Sequence, residues 1–286
     1  MKDLKRTFPS WHYAMLSDKK RNEQIKYSIK SINLIGKSVF EIGSGAGLVA
    51  LLFAKYGAKK VLTCEENQQL FEITKLLIKE NGYEHIITVI NKNSKDVIEQ
   101  GLLDFQPDII FTETLDCGVI GEGYYSISQD ISKIKTENTI ILPHIINQFG
   151  FLVSSESMQS LNYIAHNTLS FDLSLINQYS TKNYFPIRLK NYDYKKLSHD
   201  ISIKNYKYIP EQSDIKSIKF RALQDSFCHG LVSYFEAYFG NYTVTNHISE
   251  GNHWHQAFHP LKVPVFLTKD QKYELKINKN LEIKII

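Results

Sequence analysis

The sequence contains little cysteine and no long hydrophobic run. Its three cysteines, Cys64, Cys117 and Cys228, are far apart in a chain of 286 residues. So few cysteines fit a reducing compartment better than a disulfide framework, and the lack of a CxxC pair argues against a structural zinc site. The longest apolar stretch, residues 47–54, is far shorter than the roughly 18 residues that cross a bilayer. Since the first residues are charged and lack an apolar core, we expect no secretory signal and no membrane partner, and predict a cytoplasmic protein.

The sequence also lacks a large excess of charge of one sign. The formal net charge is +4, and it is not concentrated in one run. A protein that binds nucleic acid more often carries a basic stripe with aromatic residues, so we expect no direct nucleic-acid binding. The composition, 43% hydrophobic and 22% charged, is that of a folded globular protein. A chain of this length is long for a single core, so two domains are expected.

Strands and helices alternate in the first part of the chain. Apolar residues at helical spacing predict a helix over residues 10–33. The pattern then predicts strands at 38–42, 60–64, 86–91 and 108–111, and helices at 48–56, 68–81 and 94–100. This alternation is typical of a parallel, doubly wound sheet, which we assign to residues 1–144.

From about residue 145 the pattern changes to β-rich runs punctuated by prolines. The runs lie at 145–153, 169–175, 198–208, 217–223, 230–238 and 265–286. Short runs of this kind predict an antiparallel β domain, which we assign to residues 145–286.

A glycine-rich turn, Gly43-Ser44-Gly45-Ala46-Gly47, connects the first strand to an apolar helix. Glycines allow a tight turn and the close approach of a ligand, and the free amides of the helix start attract negative charge. A dinucleotide enzyme would use GxGxxG here. The carboxylate of Glu41, just before the turn, is poorly placed for a pyrophosphate. It suits the positively charged methionine end of S-adenosylmethionine, so this cofactor is preferred over NAD and over a turn without a ligand.

Three more residues follow the next two strands and complete the predicted cofactor site. Glu65, at the end of the second strand, can accept hydrogen bonds from both ribose hydroxyls. Asn93 and Ser94, just past the third strand, lie where adenine is usually recognised.

A second cluster follows the fourth strand, at the edge where open α/β sheets bind ligands. Glu113 and Glu122 flank a loop that contains glycine. Two facing carboxylates suit a guanidinium, a planar cation with donors on two edges, and one of them can accept a proton during the reaction. The alternative is two solvated surface glutamates. We interpret Cys117 as a small packing residue and expect Tyr124 and Trp254 to line the acceptor site.

The order of four motifs resembles that of the protein arginine methyltransferases. They are Met15 to Arg21, Val39 to Gly47, Glu113 to Glu122, and Asn252-His253-Trp254. The resemblance implies S-adenosylmethionine as cofactor, with Met15, Arg21 and Glu113 in its site and Arg21 on its carboxylate. It also implies that His253 pairs with Asp18, and that these two join Glu113 and Glu122 as catalytic residues.

The resemblance further implies a fold: a Rossmann-like methyltransferase domain, an antiparallel β-barrel domain, and an arm, at about residues 172–195, that forms a homodimer. Two departures concern the chemistry. Asn252 stands where the family has threonine, and Gly123-Tyr124 stand where asymmetrically dimethylating members have Ser-Met, so the methylation pattern is open. His253, His255 and His259 have no acidic or cysteine ligand beside them, and no metal is expected.

Three functions remain open, two of which differ in the acceptor. Arginine in proteins or peptides is the family default, whereas a lean chain without appended recruiting domains also suits free arginine or a small guanidino metabolite. The third alternative belongs to another functional class: a non-catalytic protein that keeps the fold and binds protein. Such a protein would have no need of both Glu113 and Glu122.

Overall fold

The structure, a computed structural model, describes residues 5–165, 167–209 and 215–286. The first four residues of the predicted first domain therefore lie outside the described residues. Within the described ranges, no helix combines the length and the apolar character needed to cross a membrane.

A five-stranded parallel sheet forms the centre of the first domain. Its strands are β1 (Ser38–Ile42), β2 (Lys60–Cys64), β3 (Ile87–Ile90), β4 (Ile109–Thr112) and β5 (Ile140–Leu142). They run parallel in the order β3-β2-β1-β4-β5, which confirms the predicted doubly wound sheet. Strand order reverses between β1 and β4, the point where such sheets bind ligands beyond their carboxyl ends. The loops that follow these two strands are the two predicted motifs.

The described residues of this first domain form six α-helices. They are α1 (Trp11–Leu16), α2 (Lys19–Lys30), α3 (Leu48–Lys55), α4 (Gln68–Glu80), α5 (Ser94–Glu99) and α6 (Tyr124–Ile134). The single helix predicted over 10–33 is wrong, because Asp18 adopts an extended backbone and begins a new helix by accepting a hydrogen bond from the Arg21 amide. Helix α6 was not predicted, although Tyr124, Ile127 and Ile131 form a buried face at helical spacing.

The second domain is antiparallel, as predicted. One sheet contains β6 (Ile145–Ser154), β7 (Phe185–Ile187), β8 (Lys195–Lys196), β9 (Ile201–Tyr206), β11 (Ser226–Phe239), β12 (Tyr242–Thr245) and β13 (Gln256–Leu267). A second sheet contains β10 (Ile215–Arg221), β14 (Lys272–Asn278) and β15 (Ile283–Ile285). A short helix, α7 (Glu156–Gln159), follows β6. In the described part of the chain, strand pairing leaves these sheets open and does not close a barrel.

The segment expected to form the arm divides into two parts. The β run predicted at 169–175 is wrong, because the chain there forms an isolated bridge between Thr168 and Phe171 and then a 3-10 helix, Ser174–Tyr179. Residues 167–179, here called the exposed segment, carry several solvent-exposed apolar side chains. The second part contains β7 and β8, which pair with β13 and β6 of the large sheet. That residues 172–195 form a dimerisation arm thus stays a prediction.

Among the described residues, one hydrophobic cluster spans the parallel sheet and the β domain, and two further clusters lie within the β domain. Phe111 of β4 stacks on Phe239 of β11 with ring centroids 5.6 Å apart, and both side chains are buried. The same buried cluster includes Phe40 of β1 and Trp254, which lies in the loop before β13. Because this cluster joins the carboxyl side of the parallel sheet to the β domain, the loop after β4 lies between them, and its Leu115 and Val119 belong to the cluster.

Candidate active site

The glycine-rich turn after β1 has the backbone that its glycines predict. Gly43, Gly45 and Gly47 have φ angles of 82°, 53° and 79°, values that favour glycine. A Cβ on Gly47 would come within 2.8 Å of the Thr74 methyl group, so α4 packs directly against the turn. The Thr74 hydroxyl donates to the Gly45 carbonyl at 2.7 Å. Helix α4 therefore holds the turn in place and leaves its inner surface to a ligand.

Two carboxylates border this turn. Glu41 is 1% exposed, and its burial, with the nearby charge of Glu65, raises the pKa of Glu41 to about 8. Glu65 accepts hydrogen bonds from the amides of Gly45 and Asn67, each at 2.9 Å, while burial raises its pKa. Each Glu65 oxygen keeps a further lone pair, so the carboxylate can still accept hydroxyl donors from a ligand.

Four buried polar atoms at or beside the turn lack a hydrogen-bond partner among the described residues: His12 Nδ1, Glu41 Oε2, Ser44 Oγ and Thr63 Oγ1, the last at the β2 position paired with Glu41. Buried polar atoms are rarely left without a partner, so their grouping indicates a polar ligand here. A Cβ on Gly45 would lie 3.8 Å from His12 Nδ1 and 3.7 Å from the Met15 methyl group. The sequence reasoning named Met15 but missed His12. Their spacing of three residues on α1, which puts them on one helix face, was the signal that could have found it.

Asn93 and Ser94 lie at the start of α5, beyond the end of β3. The Asn93 side chain accepts from the Asp96 amide at 2.9 Å and so begins the helix. The Ser94 hydroxyl is buried and donates to Asp130 of α6 at 2.7 Å. The unpredicted helix α6 thus fixes the residue expected beside adenine.

Arg21 and Glu113 form a buried ion pair. Arg21 donates from Nε to Glu113 Oε1 at 2.9 Å, and its Nη2 bonds the other oxygen, so the contact is bidentate. The side chains are only 4% and 5% exposed. Arg21 therefore orients Glu113, in addition to the role in cofactor binding that was predicted for it.

His253 meets Asp18, as the resemblance implies. Its Nδ1 lies 2.8 Å from Asp18 Oδ2, and its amide donates to the same oxygen at 3.2 Å. Burial lowers the pKa of His253 below its ordinary value, which leaves a neutral ring that donates from Nδ1 to the carboxylate. This pair joins the start of α2 to the loop of residues 252–254, here called the histidine loop.

Glu122 ends the loop of residues 113–122, here called the glutamate loop. Its side chain is accessible to solvent, yet the surrounding protein restricts its hydration. Restricted hydration, followed by the negative charges of Glu113, Asp116 and Glu65, raises the pKa of Glu122 to about 7. A carboxylate held among other acids gains most from binding a cation.

The two residues predicted to line the acceptor site are both buried. Tyr124 is 3% exposed and donates from its hydroxyl to the Lys207 carbonyl at 2.6 Å. Trp254 is 8% exposed and donates from Nε1 to the Leu115 carbonyl at 3.0 Å, within the glutamate loop. Both therefore pack behind the site, and a direct contact with an acceptor stays a prediction. Cys117, interpreted as a packing residue, is also buried.

The histidines 253, 255 and 259 do not converge. His259 is buried, with Nε2 at 2.7 Å from the Ser233 hydroxyl and Nδ1 at 3.0 Å from the Leu281 carbonyl, whereas His253 bonds Asp18. Across the described ranges, no group of three or more histidine, cysteine or acidic side chains could hold a metal ion. The site thus consists of a glycine turn with unpartnered polar atoms, beside the acidic side chains of the glutamate loop.

Comparison with known proteins gives the following similarities. No protein-family model matches the chain. The chain is 32% identical over 266 residues to "Arginine N(omega)-methyltransferase" of Streptomyces achromogenes subsp. streptozoticus, which covers 91% of this chain and 73% of that protein. It is 33% identical over 114 residues to human "Protein arginine N-methyltransferase 9", covering 40% of this chain and 14% of that protein. A match to rat "Protein arginine N-methyltransferase 7" is 30% identical and covers 52% and 23%.

Among solved structures, the fold is similar to the "Trypanosoma brucei PRMT1 enzyme-prozyme heterotetrameric complex with AdoHcy". The TM-score is 0.79 at 18% sequence identity, and the match covers 94% of this chain and 87% of that one. At this identity the likeness shows the fold.

Proposed function

The chain belongs to the arginine N-methyltransferase family, as a divergent member, and we propose that it methylates a guanidino nitrogen of arginine in proteins or peptides. It is an S-adenosylmethionine-dependent enzyme. The observation that carries the proposed acceptor is the pair of acidic groups on the glutamate loop. Glu113 is oriented by Arg21, and Glu122 lies where other negative charges favour a bound cation.

The residues around the glycine turn fit S-adenosylmethionine. When bound, this cofactor supplies a methyl group on a positively charged sulfur. Glu41 and His12 offer unpartnered polar atoms to its methionine end, and Glu65 offers free lone pairs to ribose hydroxyls. The glycines Gly43, Gly45 and Gly47 with Met15 line the turn, Arg21 is assigned to the cofactor carboxylate, and Asn93 and Ser94 are assigned to the adenine edge.

Glu113 and Glu122 have different tasks in this proposal. Arg21 neutralises much of the charge of Glu113 and fixes its direction, so Glu113 orients the guanidinium. Among the described residues Glu122 has no cationic partner, and its carboxylate attracts positive charge toward the nitrogens that it contacts. The remaining nitrogen becomes the better nucleophile. Its methylation leaves the guanidinium with one excess proton, which Glu122 can accept from a nitrogen that it contacts. Orientation of the two reactants supplies most of the rate.

Asp18 and His253 brace the entrance of the site. Their hydrogen bond ties α2, which carries Arg21, to the histidine loop. Both groups keep Arg21 in the position from which it holds Glu113.

Free arginine or a small guanidino metabolite is the second candidate acceptor. The similarity that spans 91% of the chain is to a protein named for arginine, whereas the similarities to protein arginine methyltransferases 9 and 7 span 40% and 52%. This difference in coverage favours testing both acceptors together.

The exposed segment supports assembly with a second copy. Leu169, Phe171, Leu175 and Tyr179 are between 69% and 88% exposed, and further exposed apolar side chains lie on α4. Large apolar groups clustered in this way mark interaction surfaces. Replacing Leu175 and Tyr179 by serine should convert a dimer to a monomer in sedimentation velocity. The control is Val263→Ser, at a side chain that is 68% exposed on β13, and it should leave the dimer intact. A wild-type monomer would contradict the proposed assembly.

The acceptor is tested by mass spectrometry of methyl transfer to free arginine and to an arginine-glycine peptide. Product on the peptide supports the proposal, and fragmentation then assigns the methylation pattern. Product on free arginine alone establishes the second candidate. No product on either, with S-adenosylmethionine still bound, would favour another acceptor or a non-catalytic binding protein.

The variant Glu122→Gln tests the role of the acidic pair. It should reduce transfer by at least about a hundredfold, since it removes a charged partner of the guanidinium, while calorimetry finds cofactor binding nearly unchanged. The matched control is Glu137→Gln, an exposed glutamate in the loop before β5. Near-normal turnover of Glu122→Gln would refute the assignment.

A further inference from the structure

Two side chains on either side of strand β7 reach the two loops of the active site. Tyr184 lies just before β7 and contacts the glutamate loop, and Arg188 lies just after β7 and contacts the histidine loop. Strand β7 itself pairs with β13 of the large sheet. One short segment of the β domain therefore touches both loops.

Tyr184 lies in the bend of the glutamate loop. Its hydroxyl donates to Asp116 Oδ2 at 2.9 Å. The other oxygen of Asp116 accepts from the amides of Gly118 and Gly121, at 3.2 and 3.0 Å. The Asp116 carboxylate thus draws the loop into a bend, and Tyr184 fixes that carboxylate from outside the loop.

The two glycines of the loop show how closely Tyr184 fits. A Cβ on Gly118 would collide with the Tyr184 ring, and a Cβ on Gly121 would collide with Asp116 and lie 2.9 Å from the Tyr184 hydroxyl. Gly121 directly precedes Glu122. The position of the Tyr184 side chain therefore determines the path of the backbone into Glu122.

Arg188 holds the histidine loop by its backbone. Its Nη1 donates to the carbonyls of Asn252 and Trp254, both at 2.9 Å, and its Nη2 donates to the carbonyl of His253 at 2.7 Å. Three consecutive carbonyls converge on one guanidinium, a geometry that lysine cannot reproduce. The two donor nitrogens of Arg188, Nη1 and Nη2, are here called the fork. They fix the backbone from which the His253 side chain reaches Asp18.

The β domain also bonds the glutamate loop at three backbone carbonyls. Trp254 donates to Leu115, Asn246 donates to Cys117 at 3.3 Å, and Gln148 donates to Gly118 at 3.3 Å. Those bonds fix the first half of the loop. Tyr184 extends the support toward its second half, which contains Glu122.

We propose that Tyr184 and Arg188 are positioning residues for methyl transfer: Tyr184 sets Glu122 through Asp116, and Arg188 sets His253 through the backbone of the histidine loop. The proposal rests on the proposed function, because Glu122 and His253 have their roles there. Residues 180–183 connect the exposed segment to Tyr184 and β7, so this stretch of chain links that segment to the glutamate loop.

A double-mutant cycle tests Tyr184. Tyr184→Phe removes one hydroxyl and should lower kcat by about tenfold, the size expected for a lost hydrogen bond to a charged group, while cofactor affinity stays within about twofold. In an Asp116→Asn background the same change should have less than about a twofold further effect, because the hydroxyl acts through Asp116. The matched control is Tyr234→Phe, which removes a hydroxyl bonded to Asp200 at 3.2 Å in the β domain. Unchanged kcat in Tyr184→Phe, or an equal loss in both backgrounds, would overturn the role of Tyr184.

The test of Arg188 uses Arg188→Lys, which keeps the charge but loses the fork, and Arg188→Met. Both should lower kcat by about tenfold or more. Arg221→Lys is the control, since Arg221 also donates to a backbone carbonyl, that of Asp270, at 2.8 Å on the surface. Wild-type kcat in Arg188→Lys would overturn the role of the fork.

Hydrogen exchange separates this proposal from the proposed function. Amides of the glutamate loop should exchange faster in Tyr184→Phe, and those around the histidine loop should exchange faster in Arg188→Lys, each with the global melting temperature little changed. This result needs no acceptor, so it can hold even if the enzyme methylates neither arginine nor peptide. Unaltered exchange in both loops would overturn the positioning role whatever the acceptor.

Discussion

The buried carboxyl group of Glu41 leads to a prediction in which stability and cofactor binding change in opposite directions. The folded protein holds the Glu41 proton up to about pH 8, whereas the ordinary value for a glutamate is 4.5. Between these values the folded state binds more protons than the unfolded state, so stability falls as the pH rises. The difference of about 3.5 pH units, at about 1.4 kcal/mol each, gives a cost on the order of 5 kcal/mol above pH 8.

Glu41→Gln removes this cost without a change in side-chain size. The cofactor-free variant should be more stable than the wild type at pH 9, with a melting temperature higher by on the order of 10 °C, and similar to it at pH 5. Its affinity for S-adenosylmethionine should fall by about tenfold or more, because the positively charged methionine end loses a carboxylate.

Thermal unfolding at pH 5, 7 and 9, with and without cofactor, measures both effects. Glu66→Gln is the control, because it neutralises an exposed glutamate, the residue that follows Glu65 after β2. A Glu41→Gln variant that is no more stable than the wild type at pH 9 would refute the argument from burial. Unchanged cofactor affinity would refute the assignment of Glu41 to the methionine end.

Two further predictions concern the pocket and the turn. Because the pKa of Glu122 is about 7 and its carboxylate form binds the cation, kcat/KM should fall about tenfold per pH unit below pH 7 and level off above pH 8; a flat profile from pH 6 to 9 would contradict this. Gly47→Ala should abolish cofactor binding and cost about 1–3 kcal/mol of stability, because the new methyl group meets Thr74 at 2.8 Å and φ is 79°. Gly57→Ala, also at positive φ but with no atom within 4 Å, should show the smaller loss of stability and bind cofactor normally, and equal effects of the two variants on binding would argue against the clash.

Local patterns in the sequence were sufficient for four of the five parallel strands and for the glycine turn, whereas β5 was not predicted. The alternation of strands and helices, and the glycines after Glu41, depend on residues that are neighbours along the chain. Helix boundaries were harder to predict from the sequence. Asp18 interrupts the helix predicted over 10–33 by capping a new one, and the residues that bury one face of α6 were not recognised as a helix.

The sequence by itself determined which chemical groups are present: an acid-bordered glycine turn, two glutamates in one loop, and a histidine far along the chain. Only the tertiary structure decided which of them meet. Asp18 and His253 are 235 positions apart, and Arg21 and Glu113 are 92 apart, yet each pair is in contact. The folded structure also decided that Tyr184 fills the bend of the glutamate loop. Contacts of this kind depend on how the parallel sheet and the β domain pack together, and the pKa values of Glu41 and Glu122 depend on the burial and neighbouring charges that this packing creates.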